Sequence, residues 1–306
     1  MSVAVLIPTF RRNDSLERAV LSVFSQTRTP DRIVIADNSP EAGAEALVNG
    51  LRSQAPCPLV YVHADRPGVS HARNAGFAAC ADMDRVAQLD DDESAAPDWL
   101  SELVRVADQT GAAVTFGPVR PKADGAGPVK TAWLRRLYSR MPDHEDGLIN
   151  KPWGCGNSLI DRSACALPDP PFDADANETG GEDDRLFARL AADGASFAWA
   201  SRAAVIEHVE QDRGRWTSLA RRAFAFGQGP SQDAAGRKAW AAVAIWMAVG
   251  AVQAFAFSLF AAPSRLVGAR ACAACIDKGV QGAGKVFWFD RFAPRFYGVS
   301  LAEKTG

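Results

Sequence analysis

Short apolar runs alternate with amphipathic stretches through the N-terminal two-thirds of the chain. Mostly apolar runs bounded by proline, glycine or charge predict buried strands at residues 3–7, 32–36, 59–62, 86–89 and 112–116. After the first of these, Leu16, Val20 and Val23 recur at helical spacing, and Asp14 precedes Glu17 by three residues, as in a capping box. Strands that alternate with helices in this way predict a doubly wound, mostly parallel sheet of the nucleotide-binding type.

The pattern loosens between residues 117 and 156, where glycine, proline and charge surround one short helical segment at 133–138. Loops of this length are often functional lids. Regularity returns with a strand-like run at 157–160, a helix predicted over 183–192 and an apolar run at 204–206. We expect these elements to complete the same domain.

Residues 239–262 carry no formal charge and would form a helix of about 36 Å, enough for a bilayer core of about 30 Å. Arg237, Lys238 and Arg265 flank the segment, and Trp240 suits a membrane interface. A buried core helix is the alternative. Because basic residues flank both ends, the sequence predicts membrane association without deciding between a crossing helix, a hairpin and an interfacial helix.

Composition and charge exclude some classes of function. The chain of 306 residues has a formal net charge of −2 and no basic run in its N-terminal two-thirds, so nucleic acid is not an expected partner. Six cysteines are scattered and no signal sequence precedes the first strand, which predicts a reduced, cytosolic protein. Cys272 and Cys275 have metal-ligand spacing, but no second pair or histidine follows, so they are expected to be packing thiols.

Four adjacent carboxylates, Asp90 to Glu93, directly follow the predicted strand 86–89. Like charges this close repel, and a divalent cation among them removes most of that repulsion. The carboxyl end of a strand is also where open α/β sheets bind ligands. The sequence therefore predicts a metal site here, with a solvated acidic turn as the alternative.

A second acidic cluster, Glu182, Asp183 and Asp184, follows Gly180 and Gly181 at the start of a predicted helix. The glycines permit close approach of a ligand, and the helix N-terminus adds partial positive charge. Ordinary helix capping is the alternative. Together the two clusters offer a base for an acceptor hydroxyl and a cation site for a diphosphate leaving group.

Five motifs in this order resemble those of the family 2 glycosyltransferases. They are Val5-Leu6-Ile7-Pro8-Thr9-Phe10-Arg11-Arg12, Ile35-Ala36-Asp37-Asn38-Ser39, Gly68-Val69-Ser70-His71-Ala72-Arg73-Asn74-Ala75-Gly76, Leu89-Asp90-Asp91-Asp92-Glu93 and Gly181-Glu182-Asp183. The resemblance covers residues 3–208 and implies an α/β GT-A fold, with a mostly parallel sheet flanked by helices, over residues 1–212. Residues 213–306 would then form a C-terminal helical region that contains the membrane segment 239–262.

The resemblance implies how this chain would bind a nucleotide. Pro8, Thr9 and Phe10 would line the nucleotide pocket, and Asp37 would accept a hydrogen bond from the base, as in members that use uridine nucleotides. Arg73 would lie near the nucleotide or the diphosphate. A structural salt bridge is the alternative for Arg73.

The resemblance also implies the sugar and metal contacts. Asp90 would face the ribose and the sugar, and Asp91 would belong to the same nucleotide-sugar site. Asp92 would bind Mg²⁺ or Mn²⁺ that bridges the two phosphates, since such cations choose oxygen ligands. His208 would be a further metal ligand or a diphosphate contact, and a merely hydrogen-bonded histidine is the alternative.

For the acceptor, the resemblance implies that Asp183 is the general base and that Glu182 supports it. Residues 154–157 would form part of the acceptor side, or a plain turn. A single displacement opposite the nucleotide inverts the configuration of the sugar. The expected enzyme moves a sugar from a nucleotide-diphosphosugar donor, UDP-linked, to a lipid-linked or oligosaccharide acceptor at the cytoplasmic face of the plasma membrane.

One motif departs from the processive members of the family. Those enzymes carry Gln-x-x-Arg-Trp after the base, whereas residues 211–216 here are one residue too long, which argues against a glucan-synthase mechanism. Two other functions stay open: a non-catalytic nucleotide- or glycan-binding membrane adaptor, and a sugar nucleotidyltransferase. The latter ranks last because residues 8–14 contain no glycine to hold a triphosphate.

Overall fold

A computed structural model describes residues 1–122, 126–142, 144–176, 181–210 and 212–294. The described chain divides into two compact units. The first contains Met1–Arg120 and Arg140–His208, and the second contains Pro121–Ser139 and residues 209–294. The predicted boundary after residue 212 stays a prediction.

Strands and α-helices alternate through residues 3–88, as the apolar pattern predicts, and from residue 85 onward the strands come in successive pairs. The strands are β1 (Val3–Thr9), β2 (Arg32–Asp37), β3 (Leu59–His63), β4 (Arg85–Gln88), β5 (Glu93–Ala95), β6 (Val114–Phe116), β7 (Val119–Lys122), β8 (Gly147–Ile149), β9 (Ser158–Asp161), β10 (Phe197–Trp199) and β11 (Val205–His208). The α-helices are α1 (Asn13–Phe24), α2 (Glu45–Leu51), α3 (Val69–Ala78), α4 (Trp99–Thr110), α5 (Pro128–Tyr138), α6 (Glu182–Ala192), α7 (Trp216–Gly236), α8 (Trp240–Ala261) and α9 (Ala269–Val286).

Eight of the described strands form one mostly parallel sheet in the order β3-β2-β1-β4-β9-β6-β10-β8. The first four strands in this order run parallel, and β9 runs antiparallel between β4 and β6. All seven residues of β1 are buried, as expected for a strand covered on both faces. The carboxyl ends of β1, β2 and β4 therefore meet at one edge of the sheet.

Apolar residues of β1 alternate between two hydrophobic cores. Val3, Val5 and Ile7 pack into the core that contains α1, α2 and α4, whereas Ala4 and Leu6 pack into the core that contains α3 and α6. Because successive strand residues point to opposite faces, one apolar run supports helices on both sides of the sheet.

A second, small sheet contains β5, β11 and β7. β5 pairs antiparallel with β11, so that Glu93 lies opposite Glu207. The backbone N–H of His208, at the end of β11, donates to the carbonyl of Asp92 at 2.8 Å. This pairing fixes the chain that leaves the carboxyl end of β4.

Some local predictions were wrong. Helix α1 begins at Asn13 with Arg12 at the N-cap and no side-chain capping hydrogen bond, so Asp14 does not start a capping box. β4 lies one residue earlier than the predicted strand 86–89 and ends at Gln88, and β6 begins only at Val114, two residues after the predicted start. The irregular stretch after residue 117 contains β7, α5 and β8.

The second unit is helical. It contains α5, α7, α8 and α9, and α5, α7 and α9 share a core that includes Trp133, Leu219 and Ala273. Within the described residues, α8 is the one helix whose length and composition would allow it to cross a membrane. Only Val243 and Gly250 of α8 are buried, so α8 is not a core helix.

Candidate active site

The acidic segment after β4 is largely buried. Asp91, Asp92 and Glu93 are each 5% exposed or less, and the side chain of Asp90 is 36% exposed. Burial raises the pKa of Glu93 well above its ordinary value, and the nearby charge of Asp90 adds to the rise. A solvated turn would leave these carboxylates in water, so that alternative does not describe this segment.

Thr9, at the end of β1, and Arg12, at the start of α1, hold two of these carboxylates. Thr9 Oγ1 donates to Asp91 at 2.8 Å, and Arg12 Nη1 lies 3.1 Å from Asp91 Oδ1 and 3.3 Å from Asp92 Oδ2. Burial nevertheless raises the pKa of Asp91 to about 6, since the Arg12 guanidinium opposes the shift only in part and the charge of Asp92 reinforces it. The sequence assigned no role to Arg12.

Arg73 joins the two acidic clusters. Its guanidinium is buried on α3 and lies 3.1 Å from Asp90 and 3.4 Å from Glu182, and it donates to Gln88 at 3.0 Å. The two acidic clusters, which are far apart in the sequence, therefore meet around the guanidinium of Arg73. Burial raises the pKa of Glu182, although the charge of Arg73 opposes that rise. Arg73 forms the salt bridges that the alternative interpretation expects, and its predicted place near the nucleotide or the diphosphate stays a prediction.

The turn at residues 154–156 packs closely against both clusters. The backbone N–H of Cys155 donates to Asp183 Oδ2 at 3.0 Å. A Cβ at Gly154 would lie 2.8 Å from the same oxygen, and a Cβ at Gly156 would lie 2.5 Å from Asp90 Oδ2. Glycine is therefore required here for close approach of the chain to Asp90 and Asp183.

Arg140 holds this turn from the other side. Its Nη1 donates to the carbonyl of Gly154 at 2.8 Å and to that of Gly156 at 2.5 Å, and its charge also opposes the rise in the pKa of Glu93. Sequence reasoning missed Arg140, because it stands in an irregular stretch with no motif around it.

The start of α6 carries the second cluster. Gly181 is the N-cap, with a left-handed φ of 86°, and no side chain makes a capping hydrogen bond, so capping does not explain these carboxylates. Asp183 Oδ1 accepts the backbone N–H of Asp184 at 2.9 Å. Gly180 lies outside the described residues.

Asp37 is buried at the end of β2 and accepts four hydrogen bonds. Its Oδ1 accepts from the backbone N–H and the hydroxyl of Ser39, at 2.9 and 2.5 Å. Its Oδ2 accepts from the backbone N–H of Ala44 and the hydroxyl of Tyr61, both at 2.9 Å. The carboxylate thus orders the loop after β2, and its predicted bond to a nucleotide base, which stays a prediction, would compete with these partners.

The other predicted nucleotide residues lie at the same edge of the sheet. Pro8 and Thr9 pair in register with Ala36 and Asp37, so the ends of β1 and β2 are adjacent. Phe10 follows directly, with the guanidinium of the next residue 5.4 Å from its ring centre. Their contact with a nucleotide stays a prediction.

His208 lies near the acidic segment through its backbone. Its Nε2 is 2.8 Å from the hydroxyl of Ser94, and its N–H bonds the carbonyl of Asp92. The imidazole is hydrogen-bonded, as the alternative interpretation expects. A role as metal ligand stays a prediction.

The donor chemistry of this site fits a hard divalent cation. Among the described residues, three guanidinium groups (Arg12, Arg73 and Arg140) are the electrostatic partners of six carboxylates: Asp90, Asp91, Asp92, Glu93, Glu182 and Asp183. No set of three or more metal-ligating side chains converges in the part of the chain that the structure describes. Mg²⁺ is commonly held by one or two carboxylates together with substrate phosphates, so an incomplete protein ligand set is compatible with it.

A mostly parallel sheet that collects two acidic clusters at its carboxyl edge is the arrangement that the resemblance to GT-A glycosyltransferases implies. The chain belongs to glycosyl transferase family 2, whose profile matches residues 4–166. The predicted family, fold and enzyme class are thereby confirmed. This family generally uses a divalent metal, and membership in it favours a glycosyltransferase over a sugar nucleotidyltransferase.

Several known proteins are similar to this chain. The succinoglycan biosynthesis protein ExoM of Rhizobium meliloti is 34% identical over 235 residues, which are 74% of this chain and 74% of ExoM. The glucosyl-dolichyl phosphate glucuronosyltransferase of Haloferax volcanii is 28% identical over 145 residues, 47% of this chain and 43% of that protein. The crystal structure of S. aureus TarS 1–349 in complex with UDP has the same fold, with a TM-score of 0.51 and 15% identity over 92% of this chain and 90% of that one.

Proposed function

We propose that this protein is an inverting, metal-dependent glycosyltransferase that moves a sugar from a UDP-linked donor to a hydroxyl of a lipid-linked or oligosaccharide acceptor in surface polysaccharide biosynthesis. The convergence of the two acidic clusters on Arg73 carries the proposal, because one site then holds both a base and oxygen donors for a cation. The similarity to ExoM, a succinoglycan biosynthesis protein, supports the polysaccharide role.

Asp183 is the general base of this mechanism. Its Oδ2 accepts the N–H of Cys155 and its Oδ1 accepts that of Asp184, and these two bonds orient the carboxylate. The carboxylate takes the proton of the acceptor hydroxyl as that oxygen attacks the anomeric carbon from the face opposite the nucleotide. Glu182, held by Arg73, supports Asp183 or contacts the acceptor.

The opposite end of the site binds the donor. Pro8, Thr9, Phe10 and Asp37 contact the nucleotide, and Arg73, Asp90 and Asp91 contact the ribose, the sugar and the diphosphate. Asp92, with His208, would hold Mg²⁺ or Mn²⁺. Such an ion supplies positive charge to the departing diphosphate. The bond to the leaving oxygen breaks as the new glycosidic bond forms, so the configuration inverts and no covalent enzyme intermediate arises.

The acceptor is membrane-linked in this proposal. The apolar helix α8 supports membrane association, with the active site on the cytoplasmic side where nucleotide sugars are made available. A lipid-linked acceptor would then be presented at that face of the membrane.

Substitution of the proposed base tests the mechanism directly. We expect Asp183→Asn to lower sugar transfer by about 10²- to 10⁴-fold, because the acceptor hydroxyl loses its base, while UDP-sugar binding stays near the level of the unaltered protein. The readouts are product formation and calorimetry, after a panel of nucleotide sugars has identified the donor. Asp184→Asn, one position further along the same helical turn and exposed, is the matched control and should retain activity.

A parallel substitution, Asp92→Asn, tests the metal end of the site and should raise the Mn²⁺ concentration needed for turnover. Full transfer by both Asp183→Asn and Asp92→Asn would refute the mechanism. Donor binding by the unaltered protein without any product would instead favour the adaptor function.

A further inference from the structure

Helix α8 presents a continuous apolar stripe to its surroundings. Ile245, Val249, Val252, Phe255 and Leu259 recur at three- or four-residue intervals, and each is exposed. Val252 and Phe255 are 69% and 71% exposed. A stripe of this size on a helix is typical of a surface that another apolar phase covers.

The opposite face of α8 packs antiparallel against α9. A Cβ on Gly250 would lie 2.6 Å from the carbonyl of Gly282, and the thiol of Cys272 lies 3.3 Å from the carbonyl of Ala261. Between these points, Gln253 Nε2 donates to the carbonyl of Lys278 at 2.8 Å. The contact extends over about 16 Å of α8, at 1.5 Å per residue, so α8 cannot separate from α9 without losing close glycine packing.

Helix α9 is itself held on other sides by α5 and α7. Asp277 is buried and accepts from Trp133 Nε1 at 3.1 Å and from Arg136 at 3.3 Å. A Cβ on Gly284 would lie 2.2 Å from the carbonyl of Phe224 on α7. The four helices therefore form one packed body, and the apolar stripe of α8 lies on its surface.

This packing is incompatible with α8 crossing a bilayer. The middle of α8, at Gly250 and Gln253, lies beside the segment of α9 that contains Lys278 and Lys285. If α8 stood across the membrane, these lysines and the Arg136–Asp277 pair would be at the depth of the hydrocarbon core. Charges there are strongly unfavourable.

An orientation parallel to the membrane avoids that penalty. A helix of about 10 Å diameter fits within the roughly 15 Å of hydrocarbon in one leaflet. Exposed basic residues, Lys238 before α8 and Arg265 and Arg270 after it, would lie at both ends among anionic headgroups. Leu266 and Val267, which are 94% and 82% exposed, extend the apolar surface past the end of the helix.

We infer that α8 and the turn after it form an in-plane anchor that inserts into one leaflet of an anionic phospholipid bilayer, with α9, α7 and α5 kept outside the hydrocarbon. The inference rests on the proposed membrane association and adds its topology. We propose a bilayer rather than a second copy of the chain as the partner of α8, because the basic residues at both ends of the apolar stripe suit anionic headgroups.

Vesicle binding by the full chain tests the anchor. We expect co-flotation with vesicles of phosphatidylcholine and phosphatidylglycerol, weaker binding to phosphatidylcholine alone, and at least tenfold weaker binding after the paired substitutions Val252→Asp and Phe255→Asp. Leu148→Asp, which alters an exposed apolar residue of β8, is the matched control and should bind like the unaltered chain. A stable dimer whose vesicle binding is insensitive to the paired substitutions would overturn the inference in favour of a second copy.

Labelling of the two ends of α8 tests the topology. In inside-out plasma-membrane vesicles, Lys238→Cys and Arg270→Cys should both react with a membrane-impermeant maleimide, above the background of the native cysteines. If one of the two cysteines reacts without detergent and the other reacts only once detergent is added, α8 crosses the membrane and the inference is overturned. Nucleotide release from the donor by the Val252→Asp, Phe255→Asp protein in solution is measured separately, so that loss of the anchor is distinguished from failure of the proposed chemistry.

Discussion

At the residue scale, the site depends on groups that touch the proposed base and not only on the base itself. The backbone N–H of Cys155 donates to Asp183 Oδ2, and the missing side chain at Gly154 leaves room for that oxygen. Arg140 fixes the same turn through two carbonyls. The orientation of the base is therefore set by a turn remote from it in the chain.

Adding one methyl group at this turn tests that dependence. We expect Gly154→Ala to lower sugar transfer by about 10²-fold, because its Cβ would lie 2.8 Å from Asp183 Oδ2 and displace the carboxylate. Circular dichroism should show an unchanged fold. Gly50→Ala in α2 is the control: its Cβ meets nothing within 4 Å, and the change should keep activity and stabilise by about 0.5–1 kcal/mol. Equal activity in both variants would contradict the assigned role of the turn.

At the scale of elements, one buried ion pair joins β4 to the antiparallel strand β9. Arg85 Nε lies 2.8 Å from Asp161 Oδ2, and both side chains are buried. Burial alone would raise the pKa of Asp161, but hydrogen bonds from Ser163 and Arg85 outweigh it, so the pKa is lowered from 3.8. The pair secures the strand whose carboxyl end carries the acidic segment.

The lowered pKa of Asp161 predicts a definite pH dependence of stability. A carboxyl group with a depressed folded-state pKa stabilises the fold above its unfolded value near 3.8, and that contribution is lost as the pH falls through the folded value. We expect Asp161→Asn to lower the free energy of unfolding by about 2–3 kcal/mol at pH 7, with Arg85 keeping Asp108 as a partner. The difference from the unaltered protein should shrink below pH 4.

Urea unfolding at several pH values measures this dependence. Asp82→Asn, whose carboxylate pairs with Arg32 at the surface, serves as the control and should change stability little. If Asp161→Asn lowers the free energy of unfolding by the same amount at every pH down to 3, the ion pair is not the cause of that loss.

At the scale of the whole molecule, the proposed chemistry and the proposed membrane attachment fall in different units of the chain. The first compact unit holds every predicted site residue, and the second holds the apolar helix. The excess of carboxylates over guanidinium groups in the first unit makes it receptive to a cation that arrives together with phosphates. Metal and nucleotide should therefore bind cooperatively.

Thermal unfolding with both ligands measures that cooperativity. Mn²⁺ and UDP together should raise the Tm by more than the sum of their separate effects; a ligand at 100 times its Kd adds about 2.7 kcal/mol. Removal of the metal with a chelator should reverse the gain, and Asp92→Asn should abolish the excess over additivity. Simple additivity in the unaltered protein would argue against a metal bound between the protein and the diphosphate.

From the sequence came the first strands and helices, the family and the acidic residues, because apolar periodicity and short motifs are local properties. The short strands β5, β7, β8 and β10 were not predicted, since three or four residues carry too little pattern. The capping box predicted at Asp14 was wrong, because a capping box forms only where its first residue is the N-cap, and the N-cap of α1 is Arg12. The folded chain was needed to see that Arg73 joins both clusters, that Arg140 holds the turn against Asp183, and that Asp37 is hydrogen-bonded within its own loop. It also decided which face of α8 is covered, because burial and close approach depend on elements that are distant in the chain.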